Sequence, residues 1–301
     1  MEMQPAPPFA IGSASPRKEA AMTVRKLPSA SVGARPGTRC EIVPSALDRW
    51  NPGVQSASDT EEDNTISILD VIGQDWFGEG VTSNRIAAAL RAIGKKDVTV
   101  NVNSPGGSYF EGLAIYNMLR EHPAKVTVKI LGMAASAASV IAMAGDEIQI
   151  ARAGFIMIHN TWVVAMGDRH EMRDVADWLE PFDQMAVDIY AARTGLEEKK
   201  LATMLDRETW IGGAKAVEDG FADSLLPSDA VAAKNSSEAK ELFALRELET
   251  YLKKANCPRS RRNDLVAALK GGRRDAAATI RRDADEILGD VENLLASMKS
   301  I

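Results

Sequence analysis

The chain has 301 residues, 45% of them hydrophobic, and a formal net charge of −6, which is ample apolar material for a sizeable core. It contains no apolar run of eighteen residues and no continuous hydrophobic stretch near its start, so neither a transmembrane helix nor a secretory signal is predicted and a cytoplasmic location is expected. Two cysteines, Cys40 and Cys257, and three histidines, His122, His159 and His170, argue against a disulfide framework and a multi-histidine metal centre, so no cofactor or metal is expected.

Residues 1–62 are rich in Pro, Ser, Ala and Gly without helical or strand periodicity, and predict a mostly disordered segment. Met22 opens MTVRKLPSA and is a second candidate start, which N-terminal mass spectrometry would distinguish. Order is expected to begin near Asn64, where TISILDVIG reads as a strand. VTSNRIAAALRAIG follows as a helix capped by Thr82 or Ser83 and closed by Gly94. DVTVNVNSPGGSYFEGLAIYNMLREHP then reads strand, glycine turn, helix, with His122-Pro123 as the stop.

The pattern repeats as VTVKILG, AASAASVIAMAG and EIQIARAGFIMIH, units of strand and helix that imply parallel strands with right-handed crossovers. The strand is expected to turn at Gly132 into a small-residue helix. TWVVAMGDRH is too short and mixed to assign. A long helix is predicted from about Arg169 to Arg193, bent or broken at Pro181 and capped by Gly195, followed by a short helix in LEEKKLATML. Beyond Pro227 the composition turns amphipathic: SSEAKELFALRELETYLKKA, DLVAALK and ADEILGDVENLLASM predict a helical extension interrupted at Gly271-Gly272. Tyr251–Arg282 holds ten Lys/Arg against two Asp, a local balance of +8 that leaves −14 for the remainder. Such a segment can meet nucleic acid or an acidic partner, or be a solvated helical surface.

The stretch LGMAASAASVIAMAG, Leu131–Gly145, combines small residues with two hydroxyls at the start of the expected helix. A lone serine there is most often a cap, so Ser136 becomes a candidate nucleophile only if a base and oxyanion donors can be found. His159 closes the apolar strand GFIMIH, where a side chain emerges at a sheet end. Gly106-Gly107 in NSPGGS forms a turn whose backbone could approach a carbonyl. Ser139 lies one helical turn from Ser136, and residue type alone does not exclude it.

Taken together, NSPGGS, GMAASAAS, MIHN and E-T-W-x-x-x-x-x-A-x-x-x-G-x-x-D resemble the proteolytic subunit of the Clp protease, and particularly its phage-encoded head-maturation branch. The likeness runs from about Asn64 to Leu226, with 29 positions from Gly107 to Ser136 and 23 from Ser136 to His159. It implies a ClpP/crotonase-like α/β fold at 63–228, between the disordered 1–62 and a helical extension at 229–301. By this resemblance Ser136 is the nucleophile and His159 the general base, and the amides of Gly107 and Ala137 form the oxyanion hole. Glu208 stands where the cellular enzymes usually carry Asp, with Asp206 as the substitute.

The implied function is a serine endopeptidase acting through an acyl-enzyme on a polypeptide, a capsid or scaffolding protein. It would assemble as a heptameric or tetradecameric ring through the Arg169–Arg193 helix, with an AAA+ unfoldase as a conceivable partner. Two other readings are a crotonase-fold acyl-CoA enzyme and a catalytically inactive assembly protein.

Overall fold

The computed structural model describes Arg35 and residues 38–57, 63–74, 80–227, 231–233, 237–254, 257–258 and 265. All lie in the second of the two units into which the chain divides, Ala34–Ile301. Residues 1–34, including Met22, and most of the basic stretch with Gly271-Gly272 and the last two amphipathic pieces lie outside the described residues.

β-Branched residues at alternate positions build the centre of the sheet. β1 (Thr38–Cys40), α1 (Pro44–Arg49) and β2 (Val54–Ser56) lead into β3 (Thr65–Ile68), α2 (Ser83–Ile93), β4 (Val98–Ser104) and α3 (Tyr109–Arg120). There follow β5 (Val126–Ala135), α4 (Ala137–Ala142), β6 (Glu147–Ile150), β7 (Phe155–Ile158), β8 (Val163–Ala165) and α5 (Arg169–Thr194). The described chain continues with α6 (Glu198–Asp206), β9 (Thr209–Gly212), α7 (Gly213–Glu218), β10 (Ser224–Leu225), β11 (Val231–Ala233) and α8 (Ser237–Lys254). The main sheet has seven strands: β10-β6-β5-β4-β3 are all parallel, β7 adds in parallel to the far end of β5, and β9 pairs antiparallel with β7.

Several predicted ends are present as chemistry. The Thr82 side chain accepts from Arg85 N, Gly94 closes α2 at φ +76°, and Gly195 closes α5 at φ +71°. Asp168 and Glu171 form a capping box at the start of α5.

Three expectations are corrected. The strand does not turn at Gly132. β5 runs on to Ala135 because Thr127–Ile130 pair with β6 while Met133–Ala135 pair with β7, and these two ladders outweigh the helical propensity of the alanines. The long helix is not broken at Pro181 and runs on through it to Thr194. Proline removes one backbone donor, and the packing of Phe182 against Trp178 and Phe110, ring centroids 5.1 and 5.3 Å apart, holds the turn around it.

The third correction is the larger. Residues 38–57, inside the segment expected to be disordered, form β1, α1 and β2. Ile42, Val43, Ala46, Leu47 and Trp50 are buried against Met133, Ala135 and Met157, on the sheet face opposite the one that α2–α6 cover. Consecutive side chains of a strand point to opposite faces, so Met133 and Ala135 needed a cover of their own. Trp50 Nε1 donates to the Asn103 carbonyl at 3.0 Å, and Asn103 Nδ2 donates back to Asn51 O at 2.8 Å and Val54 O at 3.1 Å. The beginning of this segment pairs with the unassigned TWVVAMG, β1 with β8, and its end pairs with β11 beyond the main sheet. α8 is helical, as expected, with Leu248 and Leu252 buried and Leu242 and Phe243 packed on the α1 cluster.

Among the described residues no helix is long and apolar enough to cross a membrane, no cluster of His, Cys, Asp and Glu could hold a metal ion, and both cysteines are free. If α1 is core, Leu47→Ala should cost about 2–5 kcal/mol in denaturant unfolding. A segment merely resting on the surface would give a change near zero.

Candidate active site

Ser136 sits at the break between β5 and α4 with φ +55° and ψ −126°, a backbone shape that side-chain-bearing residues seldom take. Its amide donates to Met157 O at 2.9 Å, tying the turn to β7. His159 follows the last residue of β7, and its Nε2 lies 2.7 Å from Ser136 Oγ. Only a residue without a Cβ can stand opposite. A Cβ on Gly106, whose φ is +89°, would come within 2.6 Å of Ala135 O and 2.7 Å of Ser136 Cβ.

Gly107 is oriented by its neighbour in a parallel bridge. Ile72 N donates to Gly106 O at 2.8 Å and Ser108 N donates to Ile72 O at 2.9 Å, so the intervening N–H and C=O of Gly107 point away from Ile72. A Cβ at Gly107 would lie 2.2 Å from Ile72 O, which allows no side chain there. Ala137, the first residue of α4, has no intrahelical acceptor for its amide. Its nitrogen lies only 3.2 Å from the Cβ position built on Gly106, so the glycine turn and the helix start flank Ser136.

Burial lowers the His159 pKa from its ordinary 6.5 to about 4, with the Glu208 carboxylate pulling the other way. The imidazole is therefore neutral near pH 7 and can accept the Ser136 hydroxyl proton. Glu208 arrives through the β7–β9 ladder. Ile158 pairs with Thr209, so one further step of the register sets Glu208 across from His159. Its backbone is also left-handed, φ +49°. Its Oε1 accepts from Ser45 Oγ at 2.6 Å and Trp210 Nε1 at 3.2 Å. Asp206 instead accepts from Asn160 Nδ2 at 2.9 Å. Among the described residues neither carboxylate hydrogen-bonds to His159; Glu208 acts on it through its charge.

Ser139 is fully buried, its hydroxyl 2.6 Å from Ser136 O and 2.8 Å from Tyr190 Oη. It braces the turn from below. His122 bonds to Lys96 O and His170 to Arg169, which takes both away from this site. Ser45 and Tyr190 carried no recognisable signal in the sequence, whereas Trp210 stood inside the E-T-W motif, and the Arg49 guanidinium lies 4.3 Å above its ring.

A family model described as Clp protease matches residues 72–229. ATP-dependent Clp protease proteolytic subunit 3 of Rhodococcus jostii (strain RHA1) is 32% identical over 157 residues, 51% of this chain and 77% of that protein. The ATP-dependent Clp protease proteolytic subunit of Borrelia garinii subsp. bavariensis is 28% identical over 167 residues, 55% of this chain and 80% of that protein. Its counterpart in Bacteroides fragilis (strain ATCC 25285) is 30% identical over 151 residues, 48% of this chain and 73% of that protein.

The two protonation states of His159 give a direct check by NMR. Its ring should titrate with a midpoint of about 4, and Glu208→Gln should move that midpoint lower, because the charge that favours imidazolium is gone. Since the unfolded chain takes up this proton first, His159 should also withdraw stability as pH falls from about 6.5 towards about 4. A midpoint at the ordinary value would contradict a buried neutral base.

Proposed function

We propose a peptide-cleaving mechanism for this chain from the premise that it belongs to the Clp protease family and is a serine-type peptidase. The observation that carries the mechanism is the 2.7 Å contact between Ser136 Oγ and the neutral His159 Nε2. His159 takes the hydroxyl proton as Oγ attacks the peptide carbonyl carbon, and the resulting oxyanion accepts hydrogen bonds from the Gly107 and Ala137 amides. The imidazolium then gives its proton to the leaving amine, the C–N bond breaks, and an ester on Ser136 remains. Water attacks that ester with His159 again as base, releasing the acid and restoring the serine.

Glu208 is the third member we assign. Its negative charge favours the imidazolium that forms during attack, and Ser45 and Trp210 hold it in place. The crotonase-type alternative gives no role to a hydroxyl bonded to an imidazole.

A fluorophosphonate should label the protein on Ser136, and Ser136→Ala should abolish both label and endopeptidase activity, while Ser139→Ala keeps the label. Glu208→Ala should lower kcat by at least about tenfold, and Asp206→Ala should leave it within about twofold. Labelling that survives Ser136→Ala would sink the mechanism.

At a finer level we assign the chain to the phage-encoded head-maturation branch, acting on a capsid or scaffolding protein. The motif resemblance supports this, as does α8, which extends the protein beyond the matched residues. For assembly we assign a heptameric or tetradecameric ring joined through α5 and the segment before it, where Met166 is 73% exposed and Met172 and Trp162 are also open. One purified sample tests both assignments. It should have a ring-sized mass by light scattering and cut scaffold without ATP or an ATPase; a monomeric mass, or cleavage only with an unfoldase, would overturn the corresponding assignment.

A further inference from the structure

We propose that Arg246 of α8 is a positioning residue of the active site, fixing through Asp70 the Gly106–Gly107 turn that presents an oxyanion amide; this rests on the role proposed above for Gly107. The helix lies outside the residues matched by the family model, 72–229, so nothing in that match assigns it a part in the chemistry.

Arg246 is 0% exposed. A guanidinium is a costly group to take out of water, and it is tolerated only where its donors are met. Here they are met on two sides. Nε and Nη2 reach Asp70 Oδ1 and Oδ2 at 3.1 and 2.7 Å in a bidentate fork, and Nη1 reaches Glu249 Oε2 at 3.0 Å. The fork fixes the plane of the Asp70 carboxylate, which also accepts the Val71 amide at 2.7 Å.

From Asp70 two connections lead to the glycine turn. Ser104 Oγ donates to the Asp70 carbonyl at 2.6 Å and in turn accepts the Gly106 amide at 3.2 Å. Two residues beyond Asp70, Ile72 grips the turn by its bonds to Gly106 O and Ser108 N. A shift of Asp70 therefore moves both supports of Gly107 at once. α8 also borders this region, because Glu249 and Thr250 line the same cavity of about 390 Å³ as Ile72, Gly107 and Ser108. The helix has separate apolar anchors in Leu248 and Leu252, so its seating does not depend on the ion pair alone.

An ion pair that merely staples α8 to the body predicts lost stability and unchanged turnover per folded site. The relay predicts lost turnover. The test measures kcat and KM for Arg246→Met, Arg246→Lys and Ser104→Ala, each normalised to sites titrated with fluorophosphonate so that unfolded protein is not counted. Ser104→Ala leaves the ion pair untouched, removes the hydroxyl that joins the Asp70 carbonyl to the Gly106 amide, and decides the matter if Arg246→Met does not fold.

Arg246→Met and Ser104→Ala should each lower kcat by roughly ten- to hundredfold with KM within about twofold, and Arg246→Lys, keeping one bond to Asp70, should recover part of the loss. Wild-type kcat per titrated site in Ser104→Ala, or in a folded Arg246→Met, would overturn the proposal while leaving the Ser136–His159 mechanism standing. Failure of the wild-type protein to label would instead remove the mechanism, and this inference with it.

Discussion

The left-handed backbone of Ser136 is the constraint on which the neighbourhood depends. A non-glycine residue in such a conformation stores about 1–3 kcal/mol of strain, which persists only where the surroundings determine it. Here β5 delivers the residue, its amide is claimed by Met157 O, its carbonyl by the Ser139 amide and hydroxyl, and its own hydroxyl by His159. With the strand on one side and the buried α4 on the other, the side chain has to project from a sharp corner. The corner in turn dictates what can stand next to it. Gly106 must lack a Cβ, and a Cβ on Gly112 would lie 3.0 Å from the Ala137 Cβ, so a glycine there lets α3 lie close against α4. The small residues of the stretch are thus a steric consequence of the turn as much as a fitting for substrate.

The same compactness sets the electrostatics. Enclosing His159 strips its cationic form of water and leaves the imidazole neutral, which suits the proposed base but disfavours the cation that would form in the proposed mechanism. The Glu208 charge, one step past the Ile158–Thr209 pair of the β7–β9 ladder, opposes that penalty in part. Glutamate's extra methylene lets its carboxylate reach two donors, Ser45 and Trp210, while its charge remains within range of the ring. The longer acid thus has a local explanation: its anchor lies on α1, outside the sheet that carries the serine and the histidine.

Sequence reasoning reached the parts that local chemistry determines. Caps at Thr82, Gly94 and Gly195 mark their helix ends because a short polar side chain or a glycine satisfies the end geometry almost alone. The Ser136 and His159 positions emerge from a turn and a strand end that local pattern also reveals. What escaped depends on partners far along the chain. Leu47 and Trp50 lie in a Pro- and Ser-rich stretch without periodicity, yet the uncovered face of Met133 and Ala135 gives them a place to bury. Arg246 reads as one more charge on an amphipathic helix until Asp70, 176 positions away, is seen to receive it. The alanines after Gly132 favour a helix locally and are strand because β7 pairs with them.

These distant partners share a destination. The parallel strands end where Gly106-Gly107 follows β4, Ser136 follows β5 and His159 follows β7, the end at which open α/β sheets place their sites. Loops at that end have no ladder of their own, and both flanks of the chain supply what the sheet cannot. From the N-terminal side, Trp50 bonds to Asn103 O near the end of β4 and Ser45 holds Glu208; from the C-terminal side, Arg246 holds Asp70 just past β3. Leu242 and Phe243 of α8 pack against the buried cluster that includes Leu47 of α1, so both flanks meet one apolar cluster. The site proposed here would need an amide, a hydroxyl and an imidazole held to a fraction of an ångström, and such a brace serves it better than further core because it restrains the loops that the sheet leaves free.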